Sequence, residues 1–299
     1  MITHYDLFAG IGGFSYALDT VFHDQEIKHI FCEWEAFPTA VLKKHWPDST
    51  YYGDIADLVA DTERERLERS RCNSKRHTGL SHRKGANKDE GLTILTGGFP
   101  CQPFSHAGRR KGTADNRYKW PEMFAVIRNV QPDWIIAENV RGLASWNDGM
   151  VLETVCSDLE GEGYEVQPFI VPAASVGAPH KRDRVWIVGV LPKNPASQRR
   201  GRWSHGNSQR NDGEIQVQGF CSRGWAKDWR EVAFATCHDG VDDGISQWVD
   251  EVGTDKREHR SRKRAASALR KARLHTCGNA IVPQVAMQFF AAIRESKVL

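Results

Sequence analysis

The stretch HYDLFAGIGGFSYALDTVF, residues 4–22, constrains the fold more than any other. HYDLF alternates as a strand does, glycines at 10, 12 and 13 supply a tight turn, and Phe14, Leu18, Val21 and Phe22 then recur at helical spacing. The order is strand, glycine turn, helix, and strands of this kind recur. HIFCE (29–33), LTILTGG (92–98), DWIIAENV (133–140) and RVWIVGV (184–190) read as further strands, and PEMFAVIRNV (121–130) reads as a helix. Strands alternating with helices predict an α/β fold with a largely parallel sheet covered on both faces.

A chain of 299 residues with 40% hydrophobic content can bury a core in one large domain, or in one domain carrying a small second one. No segment reaches the roughly 20 uncharged apolar residues that cross a bilayer. MITHYDLFAG lacks the basic start and apolar middle of a signal peptide, so no membrane partner and a cytoplasmic location are expected. The seven cysteines are widely spread and include no CxxC pair. That argues against a disulfide framework and against a zinc ribbon, and no metal is expected. One thiol stands apart: GGFPCQPFSHAG (97–108) places Cys101 between two prolines at the end of an apolar run. A packing cysteine and a catalytic nucleophile both fit it.

After Val190 the chain turns polar, rich in Gly, Arg, Gln and Asn, with Trp203, Trp225 and Trp229 among them. Order returns at Val282, Val285, Ala286, Phe289, Phe290 and Ile293, which mark an amphipathic helix expected to pack back on the sheet. The predicted organisation is therefore 1–190, a separate region 191–275, and a C-terminal segment 276–299. The net charge of +3 conceals an asymmetry, because TDKREHRSRKRAASALRKAR (254–273) holds an excess of +7 and leaves the rest at about −4. Such a run suits a polyanion partner or a solvated helix face. A second basic stretch, 71–88, reads as a loop.

The glycine turn could bring backbone N–H groups to a ligand at a helix N-terminus, or could serve the turn alone. The second strand ends in Glu33, about twenty residues on, where a dinucleotide-type fold places a carboxylate against ribose hydroxyls. Trp34 offers a flat face for an adenine. GIGGF is not GxGxxG, so a pyrophosphate is not implied. An adenosine without phosphate fits better, and S-adenosylmethionine is the obvious candidate.

Five stretches in order, DLFAGIGGF, GGFPCQPFS, AENV, HKRDRVWIVG and GNAIVPQV, resemble the motifs of the cytosine-5 DNA methyltransferases over residues 4–190 and 276–296. The resemblance implies a Rossmann-like, S-adenosylmethionine-dependent methyltransferase fold with a small irregular target-recognition region at 191–275. The chemistry calls for the same residue types. Carbon 5 of cytosine is a poor nucleophile until a thiolate adds at carbon 6, a role for Cys101. That attack is helped by a proton on N3, a role for Glu138, and by a cation at the ring carbonyl, a role for Arg184.

The resemblance further places Phe8, Gly10, Gly12, Gly13, Glu33, Trp34, Asp54, Ile55 and Asn279 around the cofactor, with Asn139 ordering the loop at the site. It assigns Arg182 to local support or phosphate contacts. Lys256, Arg257, Arg260, Arg262, Lys263 and Arg264 are the candidate contacts to double-stranded DNA. His180 stands where most of the family has glutamine. Residues 191–275 also lack the threonine followed by an aliphatic residue that the family's recognition region usually carries. A bacterial or phage monomer is expected, with a cognate restriction endonuclease as a candidate partner. Two alternatives stay open, a transfer-RNA methyltransferase and a catalytically silent DNA-binding relative.

Overall fold

A computed structural model describes residues 1–76, 91–100, 118–192 and 279–296. Cys101, the predicted recognition region from residue 193 to 275, the basic residues Lys256, Arg257, Arg260, Arg262, Lys263 and Arg264, and positions 77–88 of the second basic stretch lie outside the described residues.

The first half of the chain runs β1 (Ile2–Leu7), α1 (Gly13–Val21), β2 (Ile27–Cys32), α2 (Ala36–His45), β3 (Thr50–Tyr52) and α3 (Ile55–Arg76). Then come β4 (Leu92–Gly97), α4 (Trp120–Val130), β5 (Trp134–Val140), α5 (Met150–Gly161), β6 (Glu165–Pro172), β7 (Asp183–Val190) and α6 (Pro283–Glu295). The strands form one seven-stranded sheet in the order β3-β2-β1-β4-β5-β7-β6. β7 runs antiparallel to both of its neighbours, and the remaining pairings are parallel. The largely parallel α/β sheet read from the sequence is thus the sheet that forms.

Period-two alternation divides the side chains between two cores. Leu95, Ile135, Val185 and Ile187 face one side, packed with Leu58 of α3, Met123 and Ile127 of α4 and Val155 of α5. Ile94, Ile136 and Trp186 face the other, with Leu18 of α1 and Val285, Phe290 and Ile293 of α6. Because both faces are buried, β5 carries apolar residues at consecutive positions from Trp134 to Ala137. α2 joins the α1 side through Leu42, which packs with Phe31 and Ala9.

The pattern left β3 and β6 unread. β3 has only three residues, and β6 is interrupted by Pro168. Proline is tolerated there because β6 is an edge strand. Residues 71–76 of the second basic stretch, read as loop, are helical instead, the last positions of α3. Its Glu, Arg and Leu residues are good helix formers, and their charges had masked that propensity. Arg69 also donates from Nη2 to the carbonyl of Asn129 at 2.9 Å, docking the helix against α4.

A buried polar network lies beneath the glycine turn. Asp6 accepts from Ser15 Oγ at 2.7 Å and from Thr96 Oγ1 at 3.0 Å, tying β1 to α1 and β4. Desolvation pushes its carboxyl up to about 7 despite these donors. His4 and His29 face each other at 3.0 Å between their Nδ1 atoms, so one ring donates and the other accepts. Burial, reinforced by His29, holds His4 well below the usual imidazole range. His29 Nε2 and Trp46 Nε1 both reach Asp19 at 2.8 Å, which fixes the indole over the turn.

Candidate active site

The strand order reverses between β1 and β4: β2 and β3 lie on one side of β1, whereas β4 and β5 extend the other way. In open α/β sheets the crevice beyond the carboxyl ends of the strands at such a point is where ligands bind. The glycine turn leaves β1 there, Glu33 and Trp34 leave β2, and Gly98, Phe99 and Pro100 lead from β4 toward Cys101.

On the β1–β2 side, Phe8 has φ +55 and Gly10 φ +56, so the chain reverses sharply as soon as the strand ends. Gly10 N–H donates to Glu33 Oε2 and Glu35 N–H to Glu33 Oε1, each at 2.8 Å. Burial raises the Glu33 carboxyl, and these backbone donors oppose the shift. A carboxylate offers about four acceptor positions, so hydroxyl donors can be accepted besides the two amides. Next to it Trp34 is 80% exposed, unusual for so large an apolar ring. Asp54 follows β3 and accepts from the N–H of Ala56 at 3.0 Å, capping α3, while Ile55 is buried beneath it.

The three glycines are not equivalent. A Cβ on Gly10 would meet nothing within 4 Å, which leaves open space for a ligand. At Gly12, φ is +81 and a Cβ would lie 2.6 Å from the Trp46 ring. At Gly13 it would lie 2.7 Å from Cγ1 of Ile281, so the segment after Asn279 closes directly over the start of α1. Asn279 itself is exposed. Gly12→Ala is expected to destabilise the fold by about 1–3 kcal/mol, through a strained φ and a clash with a ring pinned by Asp19. Urea unfolding of the variant measures this, and an unchanged midpoint would contradict the packing.

On the β4–β5 side the register pairs Gly97 with Ala137, so Gly98 comes beside Glu138. A Cβ there would stand 3.4 Å from Glu138 Oε2. The β5–β7 register pairs Val140 with Arg184. Arg184 is therefore the diagonal neighbour of Glu138 on one face of the sheet. Its Nε lies 3.0 Å from Glu138 Oε1. Two effects oppose each other on this carboxyl. Desolvation raises it, Arg184 and then Arg182 lower it, and desolvation prevails, leaving it at about 7. A carboxyl at that value can hold a proton near neutrality and release it, as a general acid must.

Asn139 Nδ2 donates to the carbonyl of Phe99 at 3.0 Å, which anchors the chain two residues before Cys101. Arg182 takes a left-handed φ of +36 and donates from Nη2 to the carbonyl of Ala280 at 2.6 Å. His180 is exposed on the preceding loop. Two of the described thiols are held protonated: burial pushes Cys32 up to about 12 and Cys156 up to about 11.

Asp6 and Gly98 were not singled out as site residues from the sequence, although both stand inside quoted motifs. An acidic residue inside the first strand was the available signal for Asp6.

The family model for C-5 cytosine-specific DNA methylases matches residues 2–220. The chain belongs to this family. Among curated methylases, the Type II methyltransferase M.HpaII of Haemophilus parainfluenzae is 36% identical over 191 residues, covering 62% of this chain and 45% of that protein. M.BsuFI of Bacillus subtilis, also a Type II methyltransferase, is 28% identical over 193 residues, covering 64% and 40%. The chain thus spans about half or less of the length of these methylases. Among solved structures, the Dnmt2 methyltransferase of S. pombe superposes with a TM-score of 0.54 at 15% identity, over 99% of this chain and 100% of that one. The shared fold is the Rossmann-like fold of S-adenosylmethionine-dependent methyltransferases. Among the described residues of this family member, no helix is long and apolar enough to cross a membrane.

Proposed function

We propose that the chain transfers a methyl group from S-adenosylmethionine to carbon 5 of a cytosine turned out of double-stranded DNA, through a covalent adduct of Cys101 at carbon 6. The observation that carries this reading is the Glu138–Arg184 pair at 3.0 Å, which stands beside Gly98 on the strand that leads to Cys101. The pair fits the edge of a pyrimidine: an acid for N3 and a guanidinium for the ring carbonyl. The glycine turn with Glu33 and Trp34 stands at the same crevice, across the switch point.

The residues present fit the cofactor. Glu33 keeps acceptor capacity for ribose hydroxyls, Trp34 exposes an indole face beside it, and Gly10 leaves room next to the turn. Asp54 and Asn279 complete the proposed pocket, with Phe8, Gly12, Gly13 and Ile55 shaping its walls. When bound, S-adenosylmethionine supplies an electrophilic methyl group.

The thiolate of Cys101 adds to carbon 6 as Glu138 gives its proton to N3, and Arg184 stabilises the charge on the ring carbonyl. That addition pushes electron density to carbon 5, the atom that would take the methyl group as its bond to the sulfonium sulfur breaks and the cofactor leaves as a neutral thioether. Loss of the carbon 5 proton to water restores the double bond and expels the thiolate from carbon 6, and N3 returns its proton to Glu138. Extruding the base costs a few kcal/mol, offset by phosphate and groove contacts. Lys256, Arg257, Arg260, Arg262, Lys263 and Arg264 are proposed to make the phosphate contacts, and residues 191–275 to read the sequence. The proposed setting is a monomer in a bacterial or phage-infected cytoplasm, with a restriction endonuclease as partner.

Bisulfite sequencing of DNA from cells expressing the protein, beside cells expressing Cys101→Ala, tests the reading. Modified cytosines at one recurrent sequence, lost in the variant, are expected. Unmodified DNA in both would favour an RNA substrate or a silent relative. Glu33→Ala is expected to raise the Kd for S-adenosylmethionine about tenfold or more, since it removes the acceptor and frees the Gly10 amide. Calorimetry giving an unchanged Kd would remove Glu33 from the pocket.

A further inference from the structure

Arg182 connects the two halves of the crevice. Its Nη2 donates to Ala280 O at 2.6 Å, across 98 positions of sequence. Ala280 precedes Ile281, the residue packed against Gly13 at the start of α1. In the chain Arg182 stands one residue before β7 and two before Arg184, and its charge helps to lower the Glu138 carboxyl while Arg184 bears on Arg182 in turn. One guanidinium thus touches the cover of the glycine turn and belongs to the field of the acid pair.

The backbone is arranged to hold it there. Arg182 sits at φ +36, a conformation that costs a non-glycine residue about 1 kcal/mol or more. The surrounding hydrogen bonds maintain it: Ala173 N–H donates to Lys181 O at 2.8 Å and to Arg182 O at 3.3 Å. The far end of the C-terminal segment is secured separately, where Arg294 Nη2 meets Asp24 Oδ2 at 2.7 Å beside α1.

We propose that Arg182 is a positioning residue that ties the segment 280–282, which closes over Gly13, to the Glu138–Arg184 pair, holding the cofactor side and the base side of the crevice in one geometry. This rests on the methyltransferase reading only for the names of the two sides. It differs from a phosphate contact, which would leave the cover over Gly13 indifferent to Arg182.

Hydrogen exchange of the free full chain tests the tie without cofactor or turnover. In Arg182→Ala the amides of 284–286 and 14–17 are expected to exchange about tenfold faster, with those of β4 and β5 unchanged. Arg182→Lys, which keeps one charged donor on a shorter reach, should restore part of the protection. It also gives the answer if the alanine variant does not fold. In parallel, the KM for S-adenosylmethionine should rise about tenfold in Arg182→Ala with a smaller fall in kcat, and affinity for duplex DNA should stay within about twofold. Unchanged protection in both segments overturns the proposal. So does a loss of DNA affinity with a flattened salt dependence and an unaltered exchange pattern, the signature of a phosphate contact. If the wild-type chain binds no S-adenosylmethionine, the functional reading fails, and the exchange comparison still decides the tie.

Discussion

Cys101→Ala is expected to lower methyl transfer at least about a thousandfold while S-adenosylmethionine binding stays within about twofold of wild type. The asymmetry follows from the site. In the proposed mechanism the thiol makes carbon 5 nucleophilic, whereas the cofactor candidates stand after β1, β2 and β3 and at the C-terminal segment. No other thiol among the described residues is suited to replace it. Cys32 and Cys156 are held protonated by burial, and Cys72 is exposed on the outer length of α3. Single-turnover transfer of a labelled methyl group, alongside calorimetric titration, measures both quantities. Normal turnover in the variant would remove the covalent mechanism, and loss of binding with transfer would move Cys101 into the cofactor pocket.

The second large effect belongs to Glu138. Glu138→Gln is expected to lower kcat about a hundredfold or more, the usual contribution of a positioned general acid. The amide can hydrogen-bond N3 but has no proton to give. The pH dependence carries the same assignment with a definite sign. In the proposed role the reactive form is the protonated acid, and burial brings this carboxyl up to about 7. The limb of kcat/KM controlled by Glu138 is therefore level at lower pH and declines about tenfold per pH unit above that value. In Glu138→Gln this decline disappears, and the remaining profile follows the Cys101 thiol, which gains activity as pH rises. A wild-type rate in the glutamine variant, or an unchanged alkaline decline, would exclude Glu138 as the proton donor.

The proposed acid role also requires that Arg184 not dominate the carboxyl. Were Arg184 to dominate, the carboxyl would ionise fully at neutral pH and could not donate. Against desolvation stand the Arg184 Nε contact at 3.0 Å and the Arg182 charge, while Arg184 Nη1 donates to the carbonyl of Asp183 at 3.0 Å. Part of the guanidinium is thereby engaged by its own strand.

Much of this was legible in order and in kind. The five motifs name the family, the alternation names the sheet, and the spacing of Val285, Phe290 and Ile293 shows the buried face of the last helix. Local signals failed where local sequence is weak or misleading. Three residues are too few for β3 to declare a period, Pro168 breaks the pattern of β6, and a high density of charge hid the helix that runs to Arg76.

Residue types and their order therefore showed which groups the chain has to offer: a thiol, an acid, a guanidinium and a glycine turn. What each group does depended on neighbours brought from elsewhere in the chain. Gly12 and Gly13 look alike in sequence, yet one is required by Trp46 and the other by Ile281, while Gly10 of the same turn faces open space. Glu138 becomes an acid that titrates near neutrality because folding removes it from water and sets Arg184 beside it on an antiparallel strand. Desolvation and Coulomb interaction depend on distance in space, and a sequence records only distance along the chain.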